Sequence, residues 1–194
     1  AALGPDSATF WHLFLESQRI AYADRGLYIG DEDFVPVPVA GLVDPDYLVI
    51  SGDLCFRDPD PGICRWIRER LEATELPYDL ISGNHDDPVM LAEVFERTAL
   101  LQRKELYFVR ELAGHIFLFR DTTTGEVSEP QLDWLSREMA ARSVDDLIVF
   151  MHHPPLYAGA PDMDGNYPLR NREAVQKVFF GHEGAVRVFS GHYH

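Results

Sequence analysis

From residue 46 onward, short apolar runs alternate with stretches whose apolar residues recur every three or four positions. Tyr47–Ile50 is apolar throughout and predicts a buried strand that ends at Ser51-Gly52-Asp53. Ile63, Trp66, Ile67 and Leu71 fall at helical spacing behind the breakers Pro59 and Pro61, and predict a helix resting on that stripe. Tyr78–Ile81 predicts a second strand, ending at Ser82-Gly83-Asn84-His85-Asp86, and Met90, Leu91, Val94 and Phe95 predict the next helical face. Leu106–Arg110 and Ile116–Arg120 flank Ala113-Gly114 and predict a hairpin. Ser128-Glu129-Pro130-Gln131 has the form of a capping box, with Leu132, Leu135 and Met139 as the stripe behind it. Leu147–Met151 predicts an all-apolar strand ending at His152-His153-Pro154-Pro155. Arg172–Phe180 reads as helical, and Val186–Phe189 as a strand ending at Gly191-His192-Tyr193-His194. This alternation predicts an α/β layer fold.

The first 45 residues follow the rhythm poorly. Ala8–Tyr22 predicts an amphipathic helix through Phe10, Leu13, Phe14 and Ser17, and a loop or insertion is expected from about Asp24 to Asp44, where Pro36 and Pro38 forbid a regular helix. With no internal repeat, 194 residues predict one domain over 1–194, divergent or partly irregular over 1–45. The net charge of −15 repels nucleic acid and anionic membrane, so neither is an expected partner. No apolar run approaches the roughly 18–20 residues that cross a bilayer, and the start lacks a signal-peptide pattern; a cytoplasmic location is expected. Cys55 and Cys64 make no disulfide framework and read as core or loop thiols.

Four polar clusters follow four predicted strands: Gly52-Asp53, Gly83-Asn84-His85-Asp86, His152-His153-Pro154 and Gly191-His192-Tyr193-His194. Each strand reads as central, which puts each cluster at a strand's carboxyl end, where open α/β sheets bind ligands. Carboxylate, amide oxygen and imidazole together suit divalent transition metals, and the glycines let backbone turn sharply beside an ion. Singly, each cluster has a bland reading as turn, rigid loop or tail; four in order at strand ends do not.

The string GD, GNHD, HHPP, GHYH resembles the calcineurin-like metallophosphoesterase superfamily, and its GNHDD and MHHPPL wording is similar to the bacterial cyclic-nucleotide and glycerophosphodiester phosphodiesterase branch. The resemblance runs from about Asp46 to His194. It implies a sandwich of two mixed β-sheets flanked by helices, with the metal site at the carboxyl ends of strands. It also implies two divalent metal ions (Mn, Fe, Zn or Co) bridged by Asp53, one held by Asp53, Asn84, His152 and His192, the other by Asp53 and His194. His85 would act on the substrate phosphate with Asp86 orienting it, and His153 would lie behind the ligands or face substrate. The implied activity is hydrolysis of a small phosphodiester. The alternatives are a degenerate phospho-ligand-binding module and a phosphomonoesterase of the same superfamily; a homo-oligomer is left open.

The family's first motif, Asp-x-His, occurs nowhere before Asp53. Asp31 in Asp31-Glu32-Asp33, Asp24 in Asp24-Arg25-Gly26, and His12 are imperfect stand-ins, and the second metal position rests on one of them or on none. The family's further strands after residue 194 are also missing, so both ends read as cut or divergent. Among the remaining features, Trp66 and Trp134 read as core and His115 as structural, while Asp162-Met163-Asp164-Gly165-Asn166 reads as a loop beside the site that lacks the bidentate Glu of a calcium loop.

Overall fold

The computed structural model describes residues 46–142 and 145–193. Within them, strand β1 (Leu48–Ser51) leads to helix α1 (Pro61–Glu72), β2 (Tyr78–Ile81) and α2 (Pro88–Val94). A 3-10 turn (Thr98–Leu100) precedes two very short strands, β3 (Leu101–Gln102) and β4 (Glu105–Leu106). Then come β5 (Phe108–Leu112), β6 (His115–Arg120), α3 (Glu129–Ala141), β7 (Leu147–Met151), α4 (Pro161–Asn166), α5 (Arg172–Phe180) and β8 (Val186–Phe189). The result is mixed α/β. β1 and β2 pair in parallel, β3 and β4 make a minimal hairpin, and β5-β6-β7-β8 form one mixed sheet, antiparallel at β5/β6 and parallel beyond.

The helices start where their capping residues dictate. Asp60 accepts from the amides of Gly62 and Ile63 ahead of α1, and Asp87 accepts from Met90 ahead of α2, each with proline in the first turn. Ser128 caps α3 through the amide of Gln131 at 3.4 Å. The expected return arm of that capping box is diverted: the Gln131 side chain bonds the Asp121 backbone and Glu105 instead, tying α3 to the end of β6.

Alternation along β6 and β7 divides the core. Leu118, Leu147, Val149 and Met151 face α3 and α5, meeting Trp134, Leu135, Met139, Val175 and Phe179. On the other face, Phe108 and Phe119 pack with Leu80 and Ile81 of β2 and Leu91 of α2. Register places Phe108, Phe119, Phe150 and Phe189 in one row across all four strands, with ring centroids 4.4, 5.2 and 5.4 Å apart. Such aromatic neighbours contribute about 0.5–1.5 kcal/mol each beyond their burial. Arg110 of β5 makes two 2.7 Å bonds to Asp79 of β2, whose carboxylate also accepts from the Tyr47 hydroxyl. This bidentate pair joins the two larger sheets on the face where the rings stack.

Four expectations are corrected. Trp66 is 57% exposed, because α1 packs inward through Cys64, Ile67 and Leu71, so the helical stripe is narrower than its apolar residues suggest. β8 is a sheet edge among the described residues, not a central strand, and its Arg187 and Phe189 stand outward. The segment around Asp162–Asn166 is the short helix α4. The hairpin runs Phe108–Leu112 against His115–Arg120, two residues later in its first strand than the hydrophobicity pattern placed it. The core readings of Cys55, Cys64 and Trp134 agree with their burial. The expectations for Ala8–Tyr22 and for Asp24 to Asp44 lie outside the described residues.

Candidate metal centre

Asp53 follows β1, Asn84 and His85 follow β2, His152 follows β7, and His192 follows β8. The parallel registers Ser51↔Ile81 and Phe150↔Phe189 bring these strand ends out in adjacent pairs. Close approach between the pairs depends on absent side chains. A Cβ on Gly83 would lie 2.2 Å from Asp53 Oδ1, and one on Gly52 would lie 2.8 Å from His152 Nδ1 and 2.5 Å from the Gly83 nitrogen. Gly52 and Asp53 both adopt positive φ, +80° and +53°, so the chain turns into the site at once.

Asp53, His152 and His192 each bring one donor atom into a group lying within 4.8 Å of one another. Nδ1 of His152 lies 2.6 Å from the Ser51 carbonyl oxygen, which calls for the proton on Nδ1 and directs the lone pair of Nε2 inward. That Nε2 is buried, has no hydrogen-bond partner, and stands 3.1 Å from Asp53 Oδ2 without the alignment of a hydrogen bond. A buried nitrogen lone pair facing a carboxylate oxygen fits a cation held between them. His192, at φ +69°, places Nε2 3.0 Å from the Tyr167 carbonyl oxygen. A divalent ion at about 2.0–2.2 Å from each donor keeps its donors within about 4.4 Å of each other, so the trio needs little adjustment.

Asn84 is exposed in the turn beside them. His153 is buried behind: Nδ1 meets the Thr122 hydroxyl at 2.9 Å, and its ring lies 4.1 Å from that of His192. Burial, then the neighbouring His192, His152 and Arg170, push its pKa down to about 3, so the ring is neutral. The expected His85–Asp86 partnership is corrected. Asp86 accepts from the amides of Gly83, Cys55 and Leu54 and so staples the two turns together. Burial nonetheless holds its carboxyl above the usual range, against the pull of those three amides. The His85 ring instead has Nδ1 3.1 Å from the Arg57 carbonyl, and the His85 amide donates to Asp53 Oδ1 at 3.1 Å. His194, Asp31, Asp24 and His12 lie outside the described residues.

Sequence reasoning missed the groups that orient the imidazoles, namely the Ser51 carbonyl, Thr122 and the Tyr167 carbonyl. A carbonyl leaves no signature in sequence, and Thr122 is 31 residues from His153 with no motif around it. Glycines beside the polar clusters were the one available sign of close approach.

No helix among the described residues is long and apolar enough to cross a membrane. The model of the family described as calcineurin-like phosphoesterase matches residues 31–194. A protein of Fibrobacter succinogenes named "Probable cyclic nucleotide phosphodiesterase" is 32% identical over 79% of this chain and 59% of its own length. A cAMP/cGMP dual specificity phosphodiesterase of Mycobacterium tuberculosis is 31% identical over 77% of this chain and 49% of its own. A glycerophosphodiester phosphodiesterase of Enterobacter lignolyticus is 29% identical over 77% and 56% respectively. The chain thus spans about half to three-fifths of these relatives. A family match over more than four fifths of the sequence, reaching through all four polar clusters, leaves one assignment: the chain belongs to the calcineurin-like phosphoesterase family.

Proposed function

We propose that this protein is a metal-dependent phosphoesterase that hydrolyses a small phosphodiester. The observation that carries the reading is the buried Nε2 of His152, aimed at Asp53 beside His192 and lacking a hydrogen-bond partner. Asp53, Asn84, His152 and His192 would hold one divalent ion, and Asp53 with His194 would begin a second position, completed by Asp31, Asp24, His12 or another group. The mixed oxygen and nitrogen donor set suits Mn²⁺, Fe, Co²⁺ or Zn²⁺. When bound, such cations supply Lewis acidity toward the phosphoryl group and acidify a water. Against a net charge of −15 they also give an anionic substrate a local positive target.

The protein's own groups do the rest. The Ser51 carbonyl keeps His152 in one tautomer, and the Asp86 staple holds the two turns in register. His85, its Nδ1–H held by the Arg57 carbonyl, would act as the imidazolium, giving its Nε2 proton to the leaving oxygen and becoming the neutral Nδ1–H ring. We read residues 1–194 as one domain of sandwich form, two sheets between layers of helices, with the site along one rim and a phosphate ester as partner, not nucleic acid or membrane. The names of the relatives, cyclic nucleotide and glycerophosphodiester phosphodiesterases, favour a diester substrate. The test is metal content and turnover of bis-p-nitrophenyl phosphate by the purified chain with Mn²⁺ added. The expected result is bound metal and Mn²⁺-dependent release of p-nitrophenolate. Metal without turnover of any phosphate ester would replace hydrolysis by simple phospho-ligand binding.

A further inference from the structure

Phe56 is the most exposed large apolar side chain among the described residues, at 82%. It does not belong to a loose loop. On one side of it, the Cys55 amide donates to Asp86 and the Cys55 thiol is buried 3.7 Å from that of Cys64, where it also accepts from the Asp60 amide. On the other, the Arg57 carbonyl meets the His85 ring. Both neighbours of Phe56 are therefore pinned, one to the staple beneath the site and one to the candidate proton donor. Phe56 is three positions along the chain from Asp53, a step that spans at most about 11 Å. The backbone of Phe56 is thus held within about 11 Å of Asp53, next to the residue whose carbonyl meets His85, the proposed donor to the leaving group. The Arg57 guanidinium lies over the same ring, 5.4 Å from its centroid, while most of the ring surface remains open.

We propose that Phe56, backed by Arg57, is a stacking platform that selects phosphate esters carrying a planar aromatic ring, such as a nucleobase, over purely aliphatic ones. This rests on the phosphoesterase reading for the position of substrate, and it adds the substrate class. The ring offers a flat apolar face to a planar group, and the turn that carries it is pinned on both sides, so little backbone freedom is lost on binding. The guanidinium adds a positive charge that favours the anionic ester. An aliphatic alcohol presents no face to stack and gains only the charge.

Matched probes isolate the effect. Adenosine 5′-monophosphate and ribose 5-phosphate share their phosphate and sugar and differ in the base, and their affinities for the Mn²⁺-loaded full chain can be compared by calorimetry. Stacking of a base on an aromatic side chain corresponds to roughly a tenfold to hundredfold change in affinity. The wild type should therefore favour the adenosine compound by about that factor. Phe56→Ala should bring the ratio near one, and Phe56→Trp should restore it; thermal unfolding should be the same for all three, since the ring packs on little. A ratio near one in the wild type, or one unmoved in Phe56→Ala, would overturn the platform. Turnover of bis-p-nitrophenyl phosphate is followed in parallel. Turnover with a ratio that ignores Phe56 removes the platform alone, whereas a Phe56-dependent ratio without turnover removes hydrolysis and leaves the platform as a ligand contact.

Discussion

Gly83→Ala tests how the site is assembled with the smallest available change. The added methyl would sit 2.2 Å from Asp53 Oδ1 and 2.4 Å from the Asp53 nitrogen, whereas real Cβ atoms essentially never approach within 3.0 Å. Either the carboxylate or the turn carrying Gly83 must retreat by about 0.8 Å or more. Gly83 does not use positive φ, so the effect is steric and backbone strain plays no part. The retreat stretches the 3.1 Å bond from the His85 amide to Asp53 and moves the carboxylate away from His152 Nε2. Displacements near 1 Å in a catalytic constellation cost on the order of 10²-fold, which corresponds to about 2.7 kcal/mol of barrier. Overpacking should lower stability by roughly 1–3 kcal/mol, leaving most domains folded. The assay is kcat for bis-p-nitrophenyl phosphate across a Mn²⁺ titration, with thermal unfolding in parallel. Gly165→Ala, where a methyl meets nothing within 4 Å, is the control and should keep full activity. A folded Gly83→Ala protein with wild-type turnover and wild-type Mn²⁺ dependence would refute the claim that these two turns must touch.

Three further outcomes are expected. Asp53→Asn and His192→Ala should each lower hydrolysis at least about a hundredfold with loss of bound metal by elemental analysis, given that even groups behind metal ligands matter 10–100-fold; retention of both metal and activity would remove the proposed centre. His85→Ala should keep its metal while kcat falls roughly 10²–10⁴-fold, more for poor leaving groups than for p-nitrophenolate; loss of an ion would make His85 a ligand. Arg120 is fully buried between the Tyr107 and Trp134 rings, 5.6 and 5.0 Å from their centroids, without a hydrogen-bond partner on any guanidinium nitrogen, and burial pushes its pKa down to about 9. Arg120→Met should therefore leave stability unchanged or raise it by about 1–4 kcal/mol in urea unfolding followed by tryptophan fluorescence; a loss above about 2 kcal/mol would mean that the rings compensate the buried charge.

The sequence by itself determined the longer elements and the kinds of donor at the strand ends. β1 and β7 are legible as runs of four or five apolar residues and β2 and β8 as short runs carrying one charged residue each, Asp79 and Arg187, and the donors beyond those ends are chemically distinctive wherever the chain takes them. The caps of α1 and α2 are local, so Asp60 and Asp87 act as any aspartate before a proline does. What only the tertiary structure decided are the relations between distant turns. Asp86 reads as the partner of the histidine beside it, yet the approach of the β1 turn puts three backbone amides around its carboxylate, and otherwise unpaired amides outrank a half-buried imidazole as claimants. Trp66 has core spacing on α1 and stands in water, because spacing specifies a face and says nothing of how wide a surface that face will find. The tautomer of His152 is decided by a carbonyl 101 residues away, and its contact with Asp53 by two glycines whose missing methyls let separate strands meet. Periodicity and donor type are properties of a segment, whereas orientation and proximity belong to pairs of segments and appear only once the sheets are in register.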